Sequence, residues 1–201
     1  MSKEKWRIAG GILFAHGQYR FHDEPEWKKI DSIPSFYRQV LEHTAVTIRK
    51  QEKFFRIGEQ SAIAVSMALE LLAHIGQANA SFGETAILGY GTEGSHTGNR
   101  IYWQDYAENG KVSGKGHLFV GTLSSTPLCQ LALILGCHAP VYYASVSQKS
   151  FLASELDFLA DKCKSAFLVE SKPSSCSCTF LCPSSSGLSS QEAVSSLEDA
   201  P

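Results

Sequence analysis

Three groups of residues in this sequence have types and spacings that bear on chemistry. The first is a glycine run: Gly89, Gly91 and Gly94 spell GxGxxG directly after the apolar TAIL segment. Such a run cradles a dinucleotide when it opens a helix that leads to a second strand, with an acidic residue about 20 positions on. Here the next helix is expected only from Ile101, Asp105 and Glu108 fall inside it, and no lysine follows the glycines as a P-loop requires. The run therefore reads as a turn. The second group is the polar Ser147, Gln148, Lys149 and Ser150 at the start of a helix, where unsatisfied backbone N–H groups favour a reactive or anion-binding site. No cysteine stands between Pro140 and Lys162. A serine nucleophile needs a general base, the sequence offers none, and Ser147 reads as an N-cap. The third group is the thiols and imidazoles. Cys176, Cys178 and Cys182 make a CxCxxxC cluster, but no histidine follows His138 and no second knuckle completes a zinc site. His96, His117 and His138 read as loop histidines, and His74 as a partner for a helix C-terminus. No metal or cofactor is expected.

Composition narrows the setting. The 201 residues carry a net charge of −2, which gives no electrostatic reason for nucleic acid or an anionic membrane, and 43% apolar content suits one domain with a sizeable core. No run reaches the roughly 18 apolar residues of a membrane span, and the N-terminus lacks the apolar stretch of a secretory signal. The expectation is a cytoplasmic protein with reduced thiols.

The elements that must position these residues follow from pattern. Trp6–Gly17 reads as a buried first strand, residues 18–33 as loop, and Pro34–Leu41 as a short helix. Ile48–Gly58 reads as a solvated basic edge anchored by Phe54 and Phe55. Glu59–Ile75 is apolar all round the helical wheel, the mark of a helix buried on every side, so helices should be sandwiched in a layered fold. A strand from Thr85 leads into the glycine turn. Leu118–Val120 reads as a short strand. Ser125 or Thr126, Pro127 and Gly136 then punctuate a helix. Pro140–Ser145 is a strand, Gln148–Asp161 a helix, and Ser165–Ser171 and Cys176–Cys182 two more strands. The domain should span 1–183, leaving 184–201 as a Ser-rich tail, loosely held or disordered.

In this order the segments resemble the N-terminal half of a β-ketoacyl synthase of the thiolase-like superfamily. The resemblance rests on GYGTEG after a strand, on Asn99 with the aromatic helix behind it, and on FVGTLSSTPLCQLALILGCHAPVYY. It also rests on the buried helix Ser61–Ile75, and it covers roughly Ile48–Ser171. It implies an α/β fold, layered α-β-α with a mixed sheet. It also implies a nucleophile at the helix start after PVYYAS, where the family carries a cysteine whose pKa the helix terminus lowers. An ungapped count places Gln148 there, or Ser147 or Val146 if the register shifts. The family's two catalytic histidines come from a C-terminal half that has no counterpart in this sequence.

The resemblance therefore implies a chain-length-factor-type subunit without its own nucleophile. Such a subunit pairs with a complete ketosynthase in fatty acid or polyketide/polyene biosynthesis and meets an acyl carrier protein. The strand PVYYAS would lie at the dimer contact, with Tyr142 and Tyr143 in it. The alternatives are a glutamine-type malonyl-thioester decarboxylase, a degenerate fragment with a scaffolding role, and an unrelated α/β protein.

Overall fold

A computed structural model describes residues 6–43, 58–110, 115–145, 150–172, 174–184 and 187–198. Within them one seven-stranded sheet runs in the order β3-β2-β1-β7-β6-β4-β5. Its strands are β1 (Trp6–Ala15), β2 (Gln18–Phe21), β3 (Lys28–Lys29), β4 (Thr85–Gly91), β5 (Val141–Ser145), β6 (Ser165–Lys172) and β7 (Ser175–Pro183). β4 pairs in parallel with both β5 and β6, whereas β7 runs antiparallel to β6 and β1. The sheet is mixed.

Side-chain alternation along the strands sends residues to two cores. On β4 and β6, Ile87, Phe167 and Val169 join α1 (Ile33–His43), α2 (Glu59–His74) and α5 (Thr126–Leu135). Ala86, Leu88, Ala166 and Leu168 join α6 (Ser150–Ala160) and α7 (Ser190–Glu198) on the other face. The apolar strands are thus covered on both sides, and the architecture is the α-β-α layering expected.

α2 behaves as its sequence predicts. From Ser61 to Leu72 every residue except Glu70 is buried, against β1 and β7 and against α1 and α5. Full burial of Val65, Met67, Leu69, Leu71 and Leu72 is worth about 1.5–3 kcal/mol for each side chain. The helix is the central pillar of one layer.

Four segments depart from the sequence reading. Residues 18–33, read as loop, contain β2 and β3. His16 and Gly17, with φ of 50° and 76°, close a hairpin that lets Tyr19 and Phe21 alternate into the core. Leu118–Val120, read as a strand, lies in a helix instead, α4 (Gly116–Val120). β4 and β5 pair directly, and this segment joins neither of them. The next helix, α3 (His96–Asn109), begins five residues before Ile101.

The fourth departure is at the C-terminal end. Residues 190–198 of the segment read as a loose tail form α7, with Ala193 and Val194 buried. Ser189 and Glu192 make a reciprocal capping box, the Ser189 N–H donating to the Glu192 carboxylate at 2.7 Å and the Glu192 N–H to Ser189 Oγ at 3.3 Å. Trp6 and Leu188 exchange backbone hydrogen bonds of 2.7 Å, which ties the segment to β1. The segment read as a basic edge, Ile48–Gly58, lies outside the described residues except for Gly58.

Candidate functional site

The chain reverses its direction of travel across the sheet at β4, since β5 pairs on one side of it and β6 on the other. In open α/β sheets the crevice at the C-terminal ends of the strands beside such a switch is the usual ligand site. Register places Gly91 opposite Ser145 and Tyr90 opposite Glu170 at those ends. Val146, Ser147 and Gln148 follow Ser145 directly and lie outside the described residues.

The three glycines meet at this crevice, and a single ring explains much of their presence. A Cβ on Gly89 would lie 2.9 Å from Tyr143 Cδ2 and 2.5 Å from Leu128 Cδ1. One on Gly91 would lie 3.2 Å from the Tyr143 hydroxyl, and one on Gly94 2.5 Å from Ser124 Oγ. Gly91 and Gly94 also take φ of 136° and 50°, which other residues rarely adopt. Because α3 starts at His96, the run does open a helix, contrary to expectation. Tyr143 and Leu128 nevertheless occupy the space that a close-lying phosphate needs, so the glycines serve side-chain packing.

The two tyrosines of β5 point to opposite faces of the sheet. Tyr142 donates its hydroxyl to Glu155 of α6 at 2.6 Å, and burial and that carboxylate both raise its pKa. Tyr143 turns toward the glycine loop with its hydroxyl oxygen buried and outside full hydrogen-bond geometry. Burial raises its pKa, the Gly94 backbone opposes the rise, and Glu170 and Glu93 add to it. Tyr90, at the end of β4, is likewise raised by burial first and by Glu170 second.

The other candidates do not gather at the crevice. His138 is exposed at the opposite end of β5, with its backbone N–H donating to the Gly83 carbonyl. His96 is exposed at the start of α3. His74 closes α2 and contacts Asp23 at 3.1 Å. Cys176 and Cys178 are buried with their sulfurs 3.9 Å apart, and among the described residues no group of three potential ligands could hold a metal. No described helix is long and apolar enough to cross a membrane.

Two features were not foreseen from the sequence. A groove of about 520 Å³ opens between the first turns of α2 and α5 and helices α3 and α4, with Ile101, Leu118, Val120 and Pro127 supplying apolar walls. Gln60 links it to the glycine loop by donating to the Gly94 carbonyl at 3.3 Å. α3 has no buried residue, and its backbone packs directly on α4's end, where a Cβ on Gly98 would fall 2.0 Å from the Gly121 carbonyl oxygen. The second feature is the difference between the sheet's edges. β3 consists of two exposed lysines, whereas β5 is uncharged, half-buried along most of its length and rich in aromatic and β-branched residues. The signal for the groove on α3 was Ile101, which lines it.

No family model matches the chain, and no curated protein matches it significantly. Solved structures do. A ketosynthase (ApeO) in complex with its chain length factor (ApeC) from Xenorhabdus doucetiae aligns at a TM-score of 0.55 and 14% identity, over 90% of this chain and 80% of that one. The ishigamide ketosynthase/chain length factor aligns at 0.62 and 10% identity, over 91% and 63%. Ketosynthase twelve of the bacillaene polyketide synthase from Bacillus amyloliquefaciens aligns at 0.52 and 11%, over 96% and 42%.

The chain has a ketosynthase-like fold. This thiolase-like α/β architecture was the expectation from the glycine loop, the buried helix and the strand after Gly136. The ketosynthase-like chain spans less than two thirds of the second and third of these structures. At such identities the likeness concerns the fold alone.

Proposed function

We propose that this ketosynthase-like chain is a non-catalytic, chain-length-factor-type subunit that pairs with a catalytic ketosynthase through the edge of β5. The observation that carries the reading is the unequal protection of the sheet's edges. Natural sheets blunt a free edge with short strands and lysines, as β3 does with Lys28 and Lys29. β5 carries no lysine and no other charge, and its VYYAS backbone offers an edge that another strand can pair. Tyr142 and Tyr143 brace this strand from its two faces and contribute to the contact.

The absence of cysteine from Pro140 to Lys162 supports a subunit that forms no thioester: glutamine, serine or valine at 146–148 supplies no thiolate. The apolar groove beside α3 suits a wall of the acyl path, with acyl groups arriving on a carrier protein in fatty acid or polyketide assembly. That role places the pair in the cytoplasm.

Co-expression with a ketosynthase from the same genome tests the reading. A one-to-one complex that survives size-exclusion chromatography is expected, together with acyl elongation by the pair. A chain that elutes as a monomer beside every such ketosynthase contradicts it.

A further inference from the structure

The hairpin that carries β2 and β3 is attached to α2 by a cluster of titratable groups remote from the crevice. Phe21 stacks on the His74 ring with centroids 3.7 Å apart and planes 9° from parallel. His74 Nε2 lies 3.1 Å from both carboxylate oxygens of Asp23, and Nδ1 lies 3.8 Å from Glu24 Oε1. One turn earlier on α2, Glu70 accepts the Tyr19 hydroxyl at 3.0 Å. Two consecutive turns of α2 thus hold both ends of β2 and the turn after it.

Only one of these attachments changes character near neutral pH. A protonated imidazole at the end of a helix satisfies the C-terminal dipole and pairs with both nearby carboxylates. A neutral one keeps a single N–H and the Phe21 stack. The charged groups on His74 are Asp23 and Glu24 from the hairpin, with Glu70 one turn earlier on its own helix and His22 beside Asp23. Lys28 engages Glu24 from the far side at 2.8 Å. His22 lays its ring over Gly11 while remaining exposed, and desolvation first, then Arg20, lower its pKa against the opposing pull of Asp23, which disfavours a second cation here. Asp23 is held below the ordinary carboxylate range, chiefly by its hydrogen bond with His74.

We propose that His74 and Asp23 form a proton-gated strap that fastens the β2–β3 turn to the end of α2 and slackens as the imidazole loses its proton. The pair is exposed, so the effect is modest and sensitive to salt. Amide hydrogen exchange of residues 18–29, corrected for intrinsic rates, tests it at about pH 5.5 and about pH 8, because the imidazole is the side chain whose kind changes charge across that interval. Wild-type protection should fall about two- to fivefold between these conditions, the range of an exposed ion pair. His74→Lys, which keeps the charge, should hold protection at the higher pH. His74→Gln should be uniformly weak, and about 1 M salt should erase the wild-type difference. Equal wild-type protection at both pH values, or the same pH dependence in His74→Gln, overturns the proposal.

Discussion

The ring of Tyr143 lies where a side chain on Gly89 would have to go, with its Cδ2 2.9 Å from the position of a Cβ there. β4 and β5 are joined by this exclusion as well as by their ladder, because Leu128 of α5 closes on the same spot. Gly89→Ala is therefore expected to cost about 1–3 kcal/mol, the usual range for overpacking. Chemical denaturation of the variant checks this, and an unchanged midpoint would show that the ring moves aside freely.

Tyr142 and Glu155 form the corresponding brace on the other face. Tyr142→Phe removes the donor and leaves a carboxylate partly desolvated, at an expected cost of about 0.5–1.5 kcal/mol. A double-mutant cycle with Glu155→Gln should show coupling between the two sites. Strict additivity would mean that the bond contributes nothing.

The contact between Gly98 and Gly121 tolerates no side chain, since backbone would have to give way. Gly98→Ala should separate α3 from α4 and open the groove, seen as rapid proteolysis within residues 96–120 while the sheet stays folded. A variant as protease-resistant as the wild type would contradict this packing.

Burial pushes the Cys137 thiol up to about 12. A raised acid pKa stabilises the neutral thiol in the folded state. Its contribution is complete below the ordinary thiol value and is lost as pH rises from there toward about 12. Thiol labelling at mildly alkaline pH should accordingly modify exposed Cys129 first, Cys137 much later, and buried Cys178 only on unfolding. Labelling of Cys137 as fast as Cys129 would refute the burial argument.

Much of this fold is legible in the chain because its strongest signals are local. The all-round apolar α2 and the Pro127-to-Gly136 punctuation of α5 declare themselves, as do the continuous apolar runs of β4 and β6. What stayed hidden depends on partners distant in sequence. Leu118–Val120 looks like a strand until the close approach of α3 at Gly98 to Gly121 shows it to belong to a helix packed beside α3. The glycine run reads as a turn, but what requires glycine there, the Tyr143 ring packed against Gly89 and Gly91, shows only in the fold. α7 was legible: Ser189 to Glu192 spells a capping box, and serine-rich composition masked it. At the candidate site, the crevice beside Ser145 follows from topology, and the contrast between Lys28–Lys29 and Val141–Ser145 as sheet edges is invisible before the strand order is known.

That contrast supports the most direct test of the proposed role. Amide hydrogen exchange should be followed at residues 141–145 and 28–29, first in the free chain and then in complex with a catalytic ketosynthase. Strand pairing should slow exchange along β5 by about tenfold or more, as expected of newly hydrogen-bonded backbone, while Lys28 and Lys29 remain unchanged. A complex that leaves β5 exchange untouched, or protects the β3 edge instead, would contradict the account.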